Sequence, residues 1–350
     1  MRQKKWSILC LLLLAAPILR ADATIRYQLE FKLGPLIPPS TIAKASGGVT
    51  SIPPITTTLQ IKGDKELSSA AKQSVIIDLK TQQVTMIDPA DKQYATFLFS
   101  DLFNQMTAQM PATAKPANIP PQVRMLMQSM KADLTSEKTG RKDVILGIPV
   151  EESIWTVSLE MPANALPIPG FQGNGANPNI VLVKMVAHVW SAGPDVVKGN
   201  AALSEVMSKR NASVSMYSPD SFLKTLGDYP ALQSSISAMF ARFTASQKMT
   251  MKMDAQLYFP VLVQAMPLLQ SMGQKLPPDF DPTASLGTMH IEMTDISAAP
   301  IDASLFQVPK GYTAIPMQDL MKNVKAPVPA ATAATPKAPA SKAPIVWTNQ

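Results

Sequence analysis

Ile25-Arg26-Tyr27-Gln28-Leu29-Glu30-Phe31-Lys32-Leu33 places an apolar side chain at every odd position and a polar one at every even position. Met249-Thr250-Met251-Lys252-Met253-Asp254-Ala255-Gln256-Leu257 repeats the pattern, as does Met289-His290-Ile291-Glu292-Met293-Thr294. Successive side chains of a strand point to opposite faces, so this period of two builds a sheet with one apolar and one wet face. Antiparallel sheets have that habit, whereas the strands of parallel α/β cores are apolar on both sides.

Further strands are expected at 55–62, 74–80, 83–88, 92–98, 133–139, 149–161 and 180–190. Asp88-Pro89-Ala90-Asp91 and Lys80-Thr81-Gln82 read as hairpin turns. Helical spacing falls between the strand groups. Leu232, Ile236, Met239, Phe240 and Phe243 make an amphipathic stripe, Leu102, Phe103, Met106 and Met110 a second, and Val123, Leu126, Met127 and Met130 a third opened by Pro120-Pro121. Shorter helices are expected at 200–210, 219–226, 261–272 and 316–323. Pro-rich connectors at 34–54, 111–121, 162–179 and 275–284 punctuate one folded unit, because the strands between them are too few to close separate cores.

The ends read differently from the middle. Arg2, Lys4 and Lys5 precede the apolar run Ser7–Leu19, and Ala21-Asp22-Ala23 follows as a small-residue cleavage site. That order is the pattern of an export signal, and the run is too short to span a bilayer. The expected division is a signal peptide at 1–23, one domain at 24–323 and a disordered Ala/Pro/Lys tail at 324–350. The expected location is periplasmic or secreted. Cys10, the one cysteine, lies within the leader, so the mature domain holds together by packing alone.

The formal charge of +7 dissolves on inspection. Leader and tail each carry a net +3, which leaves the block 24–323 near neutral. A basic nucleic-acid-binding face is therefore unsupported. The catalytic inventory is thin: two His, no G-x-S-x-G, no H-E-x-x-H, no P-loop and no C-x-x-C. No cofactor and no metal site is expected. His290 shares the polar side of its strand with Glu292 and Thr294, and His188 reads as an outer or rim residue. A metal held by both would need further ligands and adjacent strands.

Methionine is the unusual feature, at 21 residues. It fills irregular core gaps, and it also lines adaptable apolar binding surfaces. On the second reading Phe103, Met106, Met110, Met127, Met130, Met251 and Met253 line a ligand cavity between sheet and helices.

Three stretches carry a resemblance. They are Thr57–Lys65 with Ser74–Leu79, Met86-Ile87-Asp88 and Lys92-Gln93-Tyr94; Gly140-Arg141 through Ile145–Glu152; and Ala303-Ser304-Leu305-Phe306-Gln307-Val308-Pro309-Lys310-Gly311-Tyr312. In this order they resemble a bacterial family of secreted domains of unknown function related to LolA-like lipoprotein-localisation carriers. The resemblance implies a strongly curved antiparallel sheet, a half-barrel, with helices covering its concave face. Family carriers hold acyl chains, and no catalytic residues come with them. The chain departs from them in its Pro-rich insertions, Met-rich segments and tail.

The expectation is therefore an α+β fold of about ten strands. Its function is non-enzymatic binding of a lipid, acyl chain or lipidated partner in the cell envelope. The alternative is an envelope interaction or structural module whose cationic tail contacts cell wall or membrane surface.

Overall fold

The computed structural model describes residues 22–37, 51–70, 73–101, 128–163, 179–216, 230–273, 277 and 280–323. The strands are β1 (Ala23–Leu33), β2 (Ser51–Lys62), β3 (Lys65–Ala70), β4 (Gln73–Asp78), β5 (Gln83–Asp88) and β6 (Gln93–Leu98), then β7 (Lys131–Ile145), β8 (Ile148–Pro162), β9 (Asn179–Ala192), β10 (Met249–Tyr258), β11 (Gly287–Ser297) and β12 (Thr313–Ala314). Among the described residues the helices are α1 (Pro194–Gly199), α2 (Ala201–Met216), α3 (Pro230–Ala245), α4 (Pro260–Ser271) and α5 (Met317–Asn323), with a 3₁₀ turn at Ala303–Phe306.

The fold is α+β, as the alternation requires. All twelve strands among the described residues join one open sheet in the order β12-β6-β5-β4-β3-β2-β1-β11-β10-β9-β8-β7. Every pairing is antiparallel except that of β12 with β6. Chain neighbours pair along β1 to β6 and along β7 to β10, and β11 returns to sit between β10 and β1. The first strand and the penultimate one thus meet at the middle of the sheet, while the last, β12, lies at its edge.

Two findings depart from the sequence reading. Lys65–Ala70 is a strand that the pattern does not announce, because Glu66 and Leu67 are both buried, at 9% and 6% exposed, and the alternation is lost. The connector expected at 34–54 gives way to β2 from Ser51, with Pro53-Pro54 inside it. The β1–β2 register shifts there, between Leu29↔Ile55 and Phe31↔Ile52, where a proline cannot donate to the ladder. The helical segments expected around 102–110, 120–127 and 219–226 lie outside the described residues.

Helices pack at intervals along the sheet. Under α1 and α2, Val197, Ala202, Leu203, Val206 and Met207 bury against Ile25, Ile61, Val150, Met249, Met251 and Met293. Further along, Val261, Ala265 and Leu268 of α4 pack on Met161 and Ile180. The expected stripe at 232–243 lies on α3, which packs against β7. At the far edge, Met317 and Leu320 of α5 join Val84, Ala95, Phe97 and Phe99. No described helix is long and apolar enough to cross a membrane.

Candidate functional site

Register across the middle strands sorts the side chains into rows. One row runs Glu152, Trp190, Lys252, Glu292 and Gln28, and another Ile154, His188, Asp254, His290 and Glu30. Between them, on the opposite face by the pleat, lies the row Ser153, Val189, Met253, Ile291 and Leu29. Beyond it on that face come Trp155, Ala187, Ala255, Met289 and Phe31, then Val157, Met185, Leu257, Gly287 and Leu33. The sheet therefore has a polar face and a methionine-rich apolar face at its centre.

The polar face is built around one buried charge. The Glu152 side chain is 1% exposed. Arg141 grips it with both arms, Nε donating to Oε2 and Nη2 to Oε1 at 2.5 Å each. Thr139 Oγ1 donates to Oε2 at 2.7 Å and His188 Nδ1 to Oε1 at 2.9 Å. Burial would push this carboxyl up. The hydrogen bonds from Thr139, His188 and Arg141, with the guanidinium's charge, outweigh burial and hold it below its ordinary range. The guanidinium also lies 5.8 Å from the centre of the Trp190 ring, within cation–π reach. Two strands away His290 sits between carboxylates, Nδ1 at 2.6 Å from Asp254 and Nε2 at 3.3 Å from Glu292. Among the described residues, no group of three or more His, Cys, Asp or Glu side chains is placed to hold a metal ion.

On the apolar face the small residues Ala187 and Ala255 and the adjacent Val189 are buried at 1%, 3% and 2%. Around them Trp155, Met185, Met253 and Met289 are only partly buried. Leu29, Phe31, Leu33, Val157, Leu257 and Ile291 share that state. These are large side chains at the centre of a sheet, where full burial is the norm. The helices stand to either side: α2 covers Met293 and Ile25 at one end of the face, and α4 covers Met161 at the other. A partly open apolar surface is thereby framed by two helices.

The residues expected to line a cavity distribute unevenly. Met253 lies on this face. Met251 is the extra residue where the β9–β10 register shifts between Thr250 and Lys252, and at 1% exposed it packs with Met249 and Met293 under α2. Met130 is partly buried beside Met161 and α4. Phe103, Met106, Met110 and Met127 lie outside the described residues. Sequence reading did not single out Trp155, Met185, Met289 or Phe31, although Met289 and Phe31 stand in the alternating stretches themselves.

A cavity of about 380 Å³ opens elsewhere, at the β2–β3 and β4–β5 turns, lined by Lys62, Asp64, Lys65, Asp78, Lys80 and Phe306 among others. Two of its charges are matched, Lys62 with Asp22 at 2.7 Å and Asp64 with Lys209 at 2.9 Å. It is far from the apolar face along β2 and offers no comparable hydrophobic surface.

No family model matches the chain, and no curated protein matches it either. Among solved structures it is similar to PNGF-II at 12% identity and a TM-score of 0.27, over 86% of this chain and 32% of that one. The chain thus spans about a third of the length of PNGF-II. It is also similar to a DUF1329 family protein from Desulfovibrio piger at 6% identity and a TM-score of 0.25, over 83% of this chain and 91% of that one. Scores this low tie the chain to neither protein's fold or function.

Proposed function

We propose that this is an exported, non-catalytic protein of the cell envelope that binds an alkyl chain, free or as part of a lipidated partner, on the apolar face between α2 and α4. Kinship with the LolA-like carriers belongs to the same proposal. The observation that supports it is the ring of partly buried Trp155, Met185, Met253 and Met289 around Ala187, Val189 and Ala255. Each methylene taken from water onto such a surface is worth about 0.8 kcal/mol. Unbranched Met side chains adapt to a chain whose length and unsaturation vary. The sequence supports the location through its leader, with the basic residues, apolar run and small-residue site in that order.

Native mass spectrometry of the mature protein, purified without detergent, tests the proposal together with a fluorescent fatty-acid titration. A co-purifying lipid, or saturable probe binding that Met253→Asp with Met289→Asp abolishes, is the expected result. A lipid-free protein that leaves the probe unbound overturns the reading.

A further inference from the structure

The apolar face extends onto β7 through Ser136 opposite Trp155 and Leu134 opposite Val157. Its next β7 position is Lys138, opposite Ser153. Along the register rows of β7, β8, β9, β10, β11 and β1 described above, Lys138 is the one charged side chain on this face. It stands at the outer rim, exposed, with the hydroxyls of Ser136 and Ser153 on the same face.

Its neighbours on β7 are arranged otherwise. Lys131 is in register with Glu160 and pairs with it at 3.8 Å, and Lys142 is in register with Glu151 and pairs with it at 3.7 Å. Both lysines thus have a carboxylate directly across the ladder. Lys138 has a serine there, and it forms no ion pair with a described residue. A cation at the rim of an apolar surface, without an internal counter-charge, complements an amphiphile whose head is an anion.

We propose that the ligand of the apolar face is a single-chain amphiphile with an anionic head, carboxylate or phosphate, held by the Lys138 ammonium while its alkyl chain crosses Trp155, Met253 and Met289 toward β1. The five strand spacings from β7 to β1 span about 24 Å, the scale of a long acyl chain laid across the sheet. This inference rests on the binding proposed above and adds the head-group chemistry and the direction of the chain.

Isothermal titration with dodecanoate, dodecyl phosphate and dodecanol, on the full mature chain at low ionic strength, separates the two. The wild type is expected to bind at least one of the anions about fivefold more tightly than the alcohol. Lys138→Met removes that preference and leaves dodecanol binding unchanged, and Lys138→Arg keeps it. The relative strength of the two anions identifies the head group as carboxylate or phosphate. Equal binding of alcohol and anions by the wild type, or a preference that survives in Lys138→Met, overturns the role of Lys138 while leaving alkyl binding standing. A wild type that binds none of the three overturns both.

Discussion

At Glu152 a carboxylate that is 1% exposed is held by three neighbours, two of which reach solvent: Arg141 is 59% exposed and His188 42%. Removing different members therefore has unequal consequences. Arg141→Ala strands a buried charge on Thr139 and His188 alone, which costs about 3 kcal/mol. Glu152→Gln removes the buried charge and leaves groups that water can solvate, for a loss of about 1 kcal/mol. Urea midpoints of the two variants check the order. The pH dependence has a fixed sign, because the folded carboxyl titrates below its unfolded value of about 4.3. Its contribution is complete above that range and is lost as pH falls through the lower, folded value. Acid unfolding of Glu152→Gln should accordingly lose part of the slope the wild type shows below about pH 4. Gly34 makes a second residue-scale case. A Cβ there would stand 2.2 Å from the Ser285 carbonyl oxygen, where the Gly34 amide donates to Leu286 at 2.6 Å. Gly34→Ala should cost about 2 kcal/mol, whereas Gly199→Ala, which meets nothing within 4 Å, should leave the midpoint within about 0.5 kcal/mol of wild type.

Among the elements, the two edge strands carry contacts that stand in the way of edge-to-edge pairing. The β6 edge is closed by β12, with Thr313 and Ile315 donating to the Lys92 and Tyr94 carbonyls. The other edge is β7, fifteen residues long, with Val144 63% exposed. Arg242 of α3 donates to the Leu134 carbonyl at 2.9 Å, and Asp143 accepts from the Val144 amide at 2.8 Å. Both contacts occupy backbone groups that a second strand would otherwise meet. Asp143→Ala with Arg242→Ala should barely move the unfolding midpoint yet raise self-association in sedimentation velocity. A double variant that stays monomeric to high concentration would refute this protective role. The elements also mark where sequence reading succeeds. Alternation locates β1, β10 and β11 because each has a wet and a dry side, and helical spacing locates α3. It misses β3, where adjacent Glu66 and Leu67 both go inside. It suggests Met253 for the site but not its companionship with Trp155 and Met185. That neighbourhood depends on the β8–β9–β10 register, which local pattern does not encode.

On the scale of the molecule, the apolar face sits where the chain's first and penultimate strands meet its middle hairpins, β1 and β11 beside β10, β9 and β8. Occupying that face ties together segments far apart in sequence, so a ligand bound there acts on global stability and not on one loop. An alkyl ligand that binds the folded face and ignores the unfolded chain stabilises by RT ln(1 + [L]/Kd), about 2.7 kcal/mol at a hundredfold excess over Kd. For a folded unit of about 300 residues 1 kcal/mol corresponds to roughly 1.6 °C, so the melting temperature should rise by about 4 °C. Met253→Asp with Met289→Asp should abolish the rise, since the ligand no longer finds an apolar bed. Lys138→Met should lose the part that depends on an anionic head while dodecanol still raises the melting temperature. Calorimetry of wild type and both variants, with and without dodecanoate and dodecanol, reads all of these at once. A melting temperature indifferent to every alkyl ligand would show that the open face binds no such chain.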